Sequence, residues 1–212
     1  MPDAVKTRAY RSARRQAQAA ATRACVIEAA RELFAAKGYA ATTVAEVAGR
    51  AAVSVDTVYT SVGRKPDLVL AVIDTVLGGS AADQRGYVRA IRAHTSAREK
   101  IAVYAAAVAD LVPRIAPLQE ALRVAGATEP ECAEVWQGLV ERRAHNMREF
   151  AADLRSTGEV RADLEDDEVA DLIWSMNSAE YWQLLHQRGW TPRRYERLLT
   201  DVWTRTLLTA GT

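Results

Sequence analysis

The stretch from Gly38 to Leu68, GYAATTVAEVAGRAAVSVDTVYTSVGRKPDL, constrains this chain more than any other. It reads as two short helices joined by a tight turn, with a hydroxyl or an acid at each place where a backbone N–H needs a partner. Gly38 closes the preceding helix, because glycine tolerates the left-handed conformation that ends one. Thr43 caps the next helix, and Glu46 three residues later can bond back to the capping N–H, completing a capping box. Val44, Val47, Ala48 and Ala51 give that helix its buried face, and Ala52 with Val53 makes the turn. Ser54 caps the following helix, Asp56 stands near the positive end of its dipole, and Val58 points inward.

A short helix with a polar, exposed first turn buries little and has small structural reason to exist alone. It makes sense as the second helix of a helix-turn-helix, which lies in the major groove of DNA and presents its N-terminal residues to base edges. Here those residues are Val55, Asp56, Thr57 and Thr60.

Thirteen positions carry a recognisable pattern at uniform spacing: Gly38, Tyr39, Thr42, Thr43, Val47, Ala48, Val53, Ser54, Thr57, Val58, Tyr59, Lys65 and Leu68. In this the stretch resembles the DNA-binding region of the TetR family of transcriptional regulators. The resemblance implies that Thr43, Thr57, Tyr59 and Lys65 contact phosphates or sugars, which fixes register, while the third helix reads bases. The candidate DNA-binding set is Thr42, Thr43, Ser54, Val55, Asp56, Thr57, Tyr59, Thr60 and Lys65; for Thr43, capping alone is the other reading. The chain departs from the family pattern in three places. Ala52 stands where glycine is usual, at a cost of about 1 kcal/mol if the position needs positive φ. Ser61 and Val62 replace an aromatic pair. Asp56 repels phosphates, although an acid can accept a hydrogen bond from cytosine N4.

The formal net charge is only +1, so affinity for nucleic acid requires local concentration of charge. Residues 1–20 supply it as a basic arm, with Lys6, Arg8, Arg11, Arg14 and Arg15 against the single acid Asp3. Such an arm either follows phosphates or is a solvated tail. Cys25 and Cys132 lie far apart without metal-ligand neighbours and read as reduced thiols. No apolar run approaches the roughly 20 residues of a membrane span, and the cytoplasm is the expected compartment.

Abundant alanine and scarce β-branched alternation indicate an all-α fold. A first helix is expected from about residues 16–21, with Val26, Ala29, Ala30, Leu33 and Phe34 as its apolar stripe. A helix from Lys65, with Pro66 in its first turn, stops at Gly78-Gly79. Residues 80–95 read as a linker with a possible helix over residues 87–93. Ser96 and Glu99 form a capping box for a helix carrying Ile101, Tyr104, Ala105, Val108, Leu111 and Val112, broken by Pro113. A short helix follows around Leu118 to Ala125. Thr128, Pro130 and Glu131 open a long helix that ends at Gly158, with Arg143 and Asn146 in its apolar stripe; an Arg143–Glu180 pair is one structural way to satisfy them. The acidic run Glu165 to Glu168 reads as a helix start rather than a metal site. The helix after it places Trp174, Asn177, Tyr181 and Leu185 on one face. Thr191 and Pro192 open the last helix, with Trp190 expected to pack on Tyr195.

The expected organisation is a basic arm (1–20), a helix-turn-helix DNA-binding domain (21–66) and a larger helical ligand-binding and dimerisation domain (67–212). The family resemblance implies a homodimer through the last two long helices, about 164–188 and 192–210. It also implies a palindromic DNA operator as partner and a small-molecule effector that releases it, most often from a repressor. Candidate effector-binding residues are Tyr104, Arg143, Asn146, Met147, Trp174, Asn177 and Tyr181, which read equally as a helical core with satisfied polar groups. No cofactor or metal is called for. His94, His145 and His186 are scattered without a nucleophile, so an enzyme is not expected. The other reading is a helical sensor or partner-binding protein whose reading head has decayed at Ala52, Ser61 and Val62.

Overall fold

A computed structural model describes the backbone of residues 3–79 and 85–209, with side chains from residue 14 onward in those ranges. The described residues form ten helices and no strand: α1 (Asp3–Ala41), α2 (Val44–Arg50), α3 (Val55–Ser61), α4 (Lys65–Val76), α5 (Gly86–Ala93), α6 (Ala97–Ala125), α7 (Pro130–Arg155), α8 (Asp166–Met176), α9 (Ala179–His186) and α10 (Pro192–Leu207). The chain divides into two units, Met1–Val72 and Ile73–Thr212, and the division falls inside α4.

In the smaller unit, α1 starts well before the expected residues 16–21. Residues 3–37 contain neither glycine nor proline and are rich in alanine, arginine and glutamine, so nothing interrupts the helix. The basic arm is therefore helical in its backbone. The side chains of Lys6, Arg8 and Arg11 lie outside the described residues, and Arg14 and Arg15 are exposed. Gly38 takes φ 78° and closes the helix proper. Val26, Ala29, Ala30 and Phe34 of α1, Val47 and Ala48 of α2, Val58 of α3 and Leu68, Val69 and Val72 of α4 are buried.

The larger unit is built around α6, which packs against α5, α7, α9 and α10. Its core includes Ile101, Tyr104, Val108, Phe150, Leu154, Ile173, Tyr195 and Trp203. Pro113 and Pro117 do not break α6. Each removes one N–H, but Val112, Ile115, Ala116, Gln119 and Leu122 are buried across that segment and their packing keeps it helical. Among the described residues α6 is also the one helix long and apolar enough to cross a membrane, and its apolar stripe is spent on this core.

Three expected caps are replaced by other partners. Ser96 makes no side-chain cap; the Ala97 N–H donates instead to the Glu159 carboxylate at 3.1 Å, and Glu99 lies 3.4 Å from His94. At α7 the N-cap is Glu129 without a side-chain bond, while Thr128 donates back to the Ala125 carbonyl at 3.4 Å. Trp190 does not pack on Tyr195 but holds Arg194 over its ring at 3.8 Å, because Tyr195 is fully buried against Tyr181 and Trp182. The long helix expected over about 164–188 is two helices. Asn177 ends α8 with its N–H still donating to the Ile173 carbonyl, and Ser178 turns extended and caps α9 by accepting from the Tyr181 N–H at 3.0 Å.

Candidate DNA-reading helix and effector cavity

The two caps of the small unit hold α2 and α3 in place. Thr43 Oγ1 accepts from the Glu46 N–H at 3.2 Å, and the Glu46 carboxylate accepts from the Thr43 N–H at 2.9 Å. The Glu46 carboxylate also accepts from Lys37 and from the Thr43 hydroxyl at 2.8 Å, and the bonds from Lys37, the Thr43 N–H and the Thr43 hydroxyl hold this carboxyl well below its ordinary pKa, at about 2. Ser54 Oγ accepts from the Thr57 N–H at 3.1 Å and lies 2.8 Å from Thr57 Oγ1. Ala52 adopts φ 55°, so the turn does require the conformation that glycine takes without strain.

The outer face of α3 is open. Val55 is 40% and Tyr59 49% exposed, and Asp56 and Thr60 are exposed beside them. Thr60 donates to the Asp56 carbonyl at 2.9 Å. Two expected contributors are placed differently. Thr42 is buried, its hydroxyl donating to the Gly38 carbonyl at 2.8 Å, so it fixes the turn after α1 and presents nothing outward. Lys65 sets its ammonium 4.1 Å above the Tyr39 ring and reaches the Ala40 carbonyl at 3.4 Å. Ser61, in place of an aromatic residue, offers its carbonyl to Arg23 Nη1 at 2.5 Å.

In the larger unit, α6 and α7 enclose a cavity of about 70 Å³. Tyr104, Arg143, Asn146, Met147 and Asn177 line it, as the sequence suggests. Asn177 is the hub. Its Nδ2 donates to Tyr104 Oη at 2.6 Å and contacts Met147 Sδ at 3.0 Å, while its Oδ1 accepts from Arg143 Nη2 at 2.6 Å. Burial pushes the Tyr104 phenol above its ordinary pKa, so it stays neutral and serves as a hydrogen-bonding hydroxyl.

Arg143 also donates from Nη2 to the Trp174 carbonyl at 3.0 Å and lies over the Trp174 ring at 5.2 Å. It makes no hydrogen bond to Glu180, which acts on it only as a nearby charge. Desolvation lowers the Arg143 pKa, partly opposed by the neighbouring Tyr104, Glu180 and Tyr195. Its sequence neighbour Arg142 is held differently, donating to both oxygens of Asp74 at 3.3 and 2.7 Å.

Trp174 and Tyr181 do not line the cavity. They share a face with Asn177 only on an unbroken helix, and the break at Asn177–Ser178 ends that register. Tyr181 faces Tyr195, with ring centroids 6.3 Å apart, and Trp174 Nε1 is buried without a partner.

Residues 26–72 match the sequence model of the bacterial regulatory proteins of the tetR family. The chain carries the TetR-family DNA-binding region. No curated protein sequence matches the chain. Among solved structures, the regulator FadR from Bacillus subtilis in complex with stearoyl-CoA is similar at TM-score 0.65 and 17% identity, over 84% of this chain and 96% of that one. A TetR transcriptional regulator from Chloroflexus aurantiacus gives TM-score 0.61 and 18% identity over 91% and 99% of the two chains. SmeT in complex with triclosan gives 0.64 and 19% over 90% and 93%. The larger unit thus completes a TetR-type fold, and the regulators that share it include ones crystallised with small molecules.

Against the TetR-type frame, sequence reasoning missed Arg85, Tyr87, Gln119 and Arg142 as cavity residues. Arg85 and Tyr87 fall where the sequence reads as a linker. Gln119 was hidden by treating Pro113 as a stop. With that proline tolerated, Tyr104, Val108, Leu111, Val112, Ile115 and Gln119 form one helical stripe facing the cavity.

Proposed function

We propose that the protein is a homodimeric, ligand-responsive transcriptional regulator, acting as a repressor. It binds a palindromic DNA operator through α3 and is released when a small molecule occupies the cavity between α6 and α7. The observation that carries this reading is the pairing, in one chain, of a TetR-family reading helix whose outer face is open with a second unit enclosing a polar-lined cavity. The open face of α3 supports base reading by Val55, Asp56, Thr57 and Thr60. Phosphate positioning falls to Thr43, Ser54, Tyr59 and Lys65, with Arg14 and Arg15 as added charge. Thr42 is left out, since its hydroxyl is sealed.

The stearoyl-CoA and triclosan complexes of similarly folded regulators support a ligand in the larger unit. Leu184 on α9, 65% exposed, supports pairing of two copies through α8, α9 and α10, which gives two reading helices on one two-fold axis. For transmission, Asp74 and Arg142 matter most. Asp74 stands near the end of α4, the helix that follows the reading head in sequence, and Arg142 lines the cavity. A ligand that shifts Arg142 acts on α4 through that pair, and the response can be no larger than the ligand's differential affinity for the two arrangements.

The test is a mobility shift with genomic fragments selected on the purified full chain. A specific fragment should be retained, with affinity falling steeply as salt rises. Retention of no particular sequence would leave the chain as a small-molecule sensor with a degenerate reading head, to which Ser61 and Val62 would then belong.

A further inference from the structure

We propose that the effector is a small organic anion, a carboxylate on an apolar body, held head-on by Arg143. This rests on the reading of the α6–α7 cavity as the effector site and names the chemistry it selects. Three arginines, Arg85, Arg142 and Arg143, line the cavity, and no acidic side chain does so among the described residues. Arg142 is neutralised by Asp74. Arg143 is not: its protein acceptors are the Trp174 carbonyl and the Asn177 amide oxygen, both uncharged, and both are served by Nη2. No carboxylate pairs with it among the described residues.

A guanidinium presents five N–H donors. With Nη2 occupied, Nε and Nη1 keep three that meet no protein acceptor, and neither atom is sealed away from accessible space. Arg143 is half-buried and Glu180 acts on it only at a distance, so a directly bonded anion would complete its pairing. A carboxylate at Nη1 does so through charge-assisted hydrogen bonds, with the Asn146 amide at hand as a neutral donor. The lining also carries the aliphatic side chains Val108, Leu111, Val112, Ile115 and Leu139, with Gln119 beside them on α6. A guanidinium together with that hydrocarbon surface fits an amphipathic monoanion, whereas a cation of the same shape is repelled by Arg143.

The volume sets how such a ligand enters. The inner cavity of about 70 Å³ adjoins a more open hollow of about 400 Å³, and Arg85, Tyr87, Tyr104, Asn146 and Met147 line both. The two spaces share these side chains, so a ligand larger than the smaller one can extend into its neighbour.

The experiment measures binding of matched probes to the full chain by calorimetry. Octanoate, octanamide and octyltrimethylammonium form one set, and phenylacetate, phenylacetamide and benzyltrimethylammonium another. In at least one set the carboxylate should bind about tenfold or more tighter than its amide, and the ammonium should not bind. Arg143→Met should erase the carboxylate's advantage over its amide, with a lowered thermal midpoint because the Trp174 carbonyl and the Asn177 amide oxygen lose their donor, and Arg143→Lys should retain part of the advantage. Amide or ammonium binding as tight as the carboxylate, or no carboxylate binding in either set, overturns the proposal. So does an Arg143→Met chain that loses thermal stability but keeps the preference. Operator release is scored separately. A carboxylate that binds without weakening DNA retention refutes the proposed regulatory role and leaves the ligand class standing; an amide that binds and releases DNA does the reverse.

Discussion

The helix-turn-helix and the helical core around α6 solve the same problem, satisfying polar groups, over different distances. In the reading head the caps are local: Thr43 with Glu46 and Ser54 with Thr57, each three residues apart. The larger unit keeps local caps at Ser178 and Thr191 but adds bonds that span the fold, with Asn177 to Tyr104 covering 73 residues and Ala97 to Glu159 covering 62. Local closure makes a small rigid piece whose chemistry faces outward. Long-range closure makes a core whose polar groups face inward and whose arrangement depends on several helices holding register together. The first suits a head that must present fixed side chains to DNA, and the second a chamber that must respond to what it holds.

This contrast sharpens most in stability. Trp203 is fully buried in the larger core, stacked on Tyr104 at 5.8 Å, and Trp203→Ala should destabilise the protein by about 3–5 kcal/mol in chemical denaturation. Tyr59→Ala, half exposed on α3, should change stability by less than about 0.5 kcal/mol yet weaken retention of all DNA sequences alike. Substitutions at Thr57 or Thr60 should alter site preference instead. If Tyr59→Ala alters site preference as they do, the division of labour within α3 is wrong.

Smaller effects follow at the two arginine neighbours and in the turn. Asp74→Asn leaves Arg142, 27% exposed at its side chain, without its carboxylate. It should cost about 1–2 kcal/mol of stability and reduce the effector's influence on DNA affinity, read by titrating a bound operator with effector. An unchanged effector response would remove the Asp74–Arg142 pair from transmission. Ala52→Gly should raise stability by about 0.5–1 kcal/mol, since it relieves φ 55° at the expense of a more flexible unfolded chain. The smallest effect concerns acid. Glu46 has its pKa depressed from 4.5 to about 2, so its bonds strengthen the α2 start above about pH 4.5 and are lost as pH falls toward 2. It is fully exposed, so the loss should appear as faster amide exchange at Thr43 and Glu46 and not as global unfolding.

The same contrast explains what the sequence could disclose. Both caps of the reading head and the inward Val58 follow from residues within a few positions and are legible in the sequence, whereas the positive φ at Ala52 follows there only conditionally, from the glycine usual at that place in the family pattern. The core candidates Tyr104, Arg143, Asn146, Met147 and Asn177 came from helical stripes, and the structure does bring them to one cavity. Trp174 and Tyr181 are not brought there, because Ser178 turns extended and caps a new helix, which ends the register that joined them to Asn177. Pro113 looked decisive as a local signal and was overruled by burial on both sides of it. Glu159 capping α6 had no local signature at all.

The central claim is that α3 reads a DNA sequence under control of the larger unit, and selection of genomic fragments on the purified full chain tests it most directly. The account predicts enrichment of one palindromic sequence class, with half-sites related by the two-fold axis of a dimer, and a changed class when Thr57 or Thr60 is substituted. Recovery of fragments with no shared sequence, or with the same class enriched by Thr57 and Thr60 variants as by the unaltered chain, would contradict it.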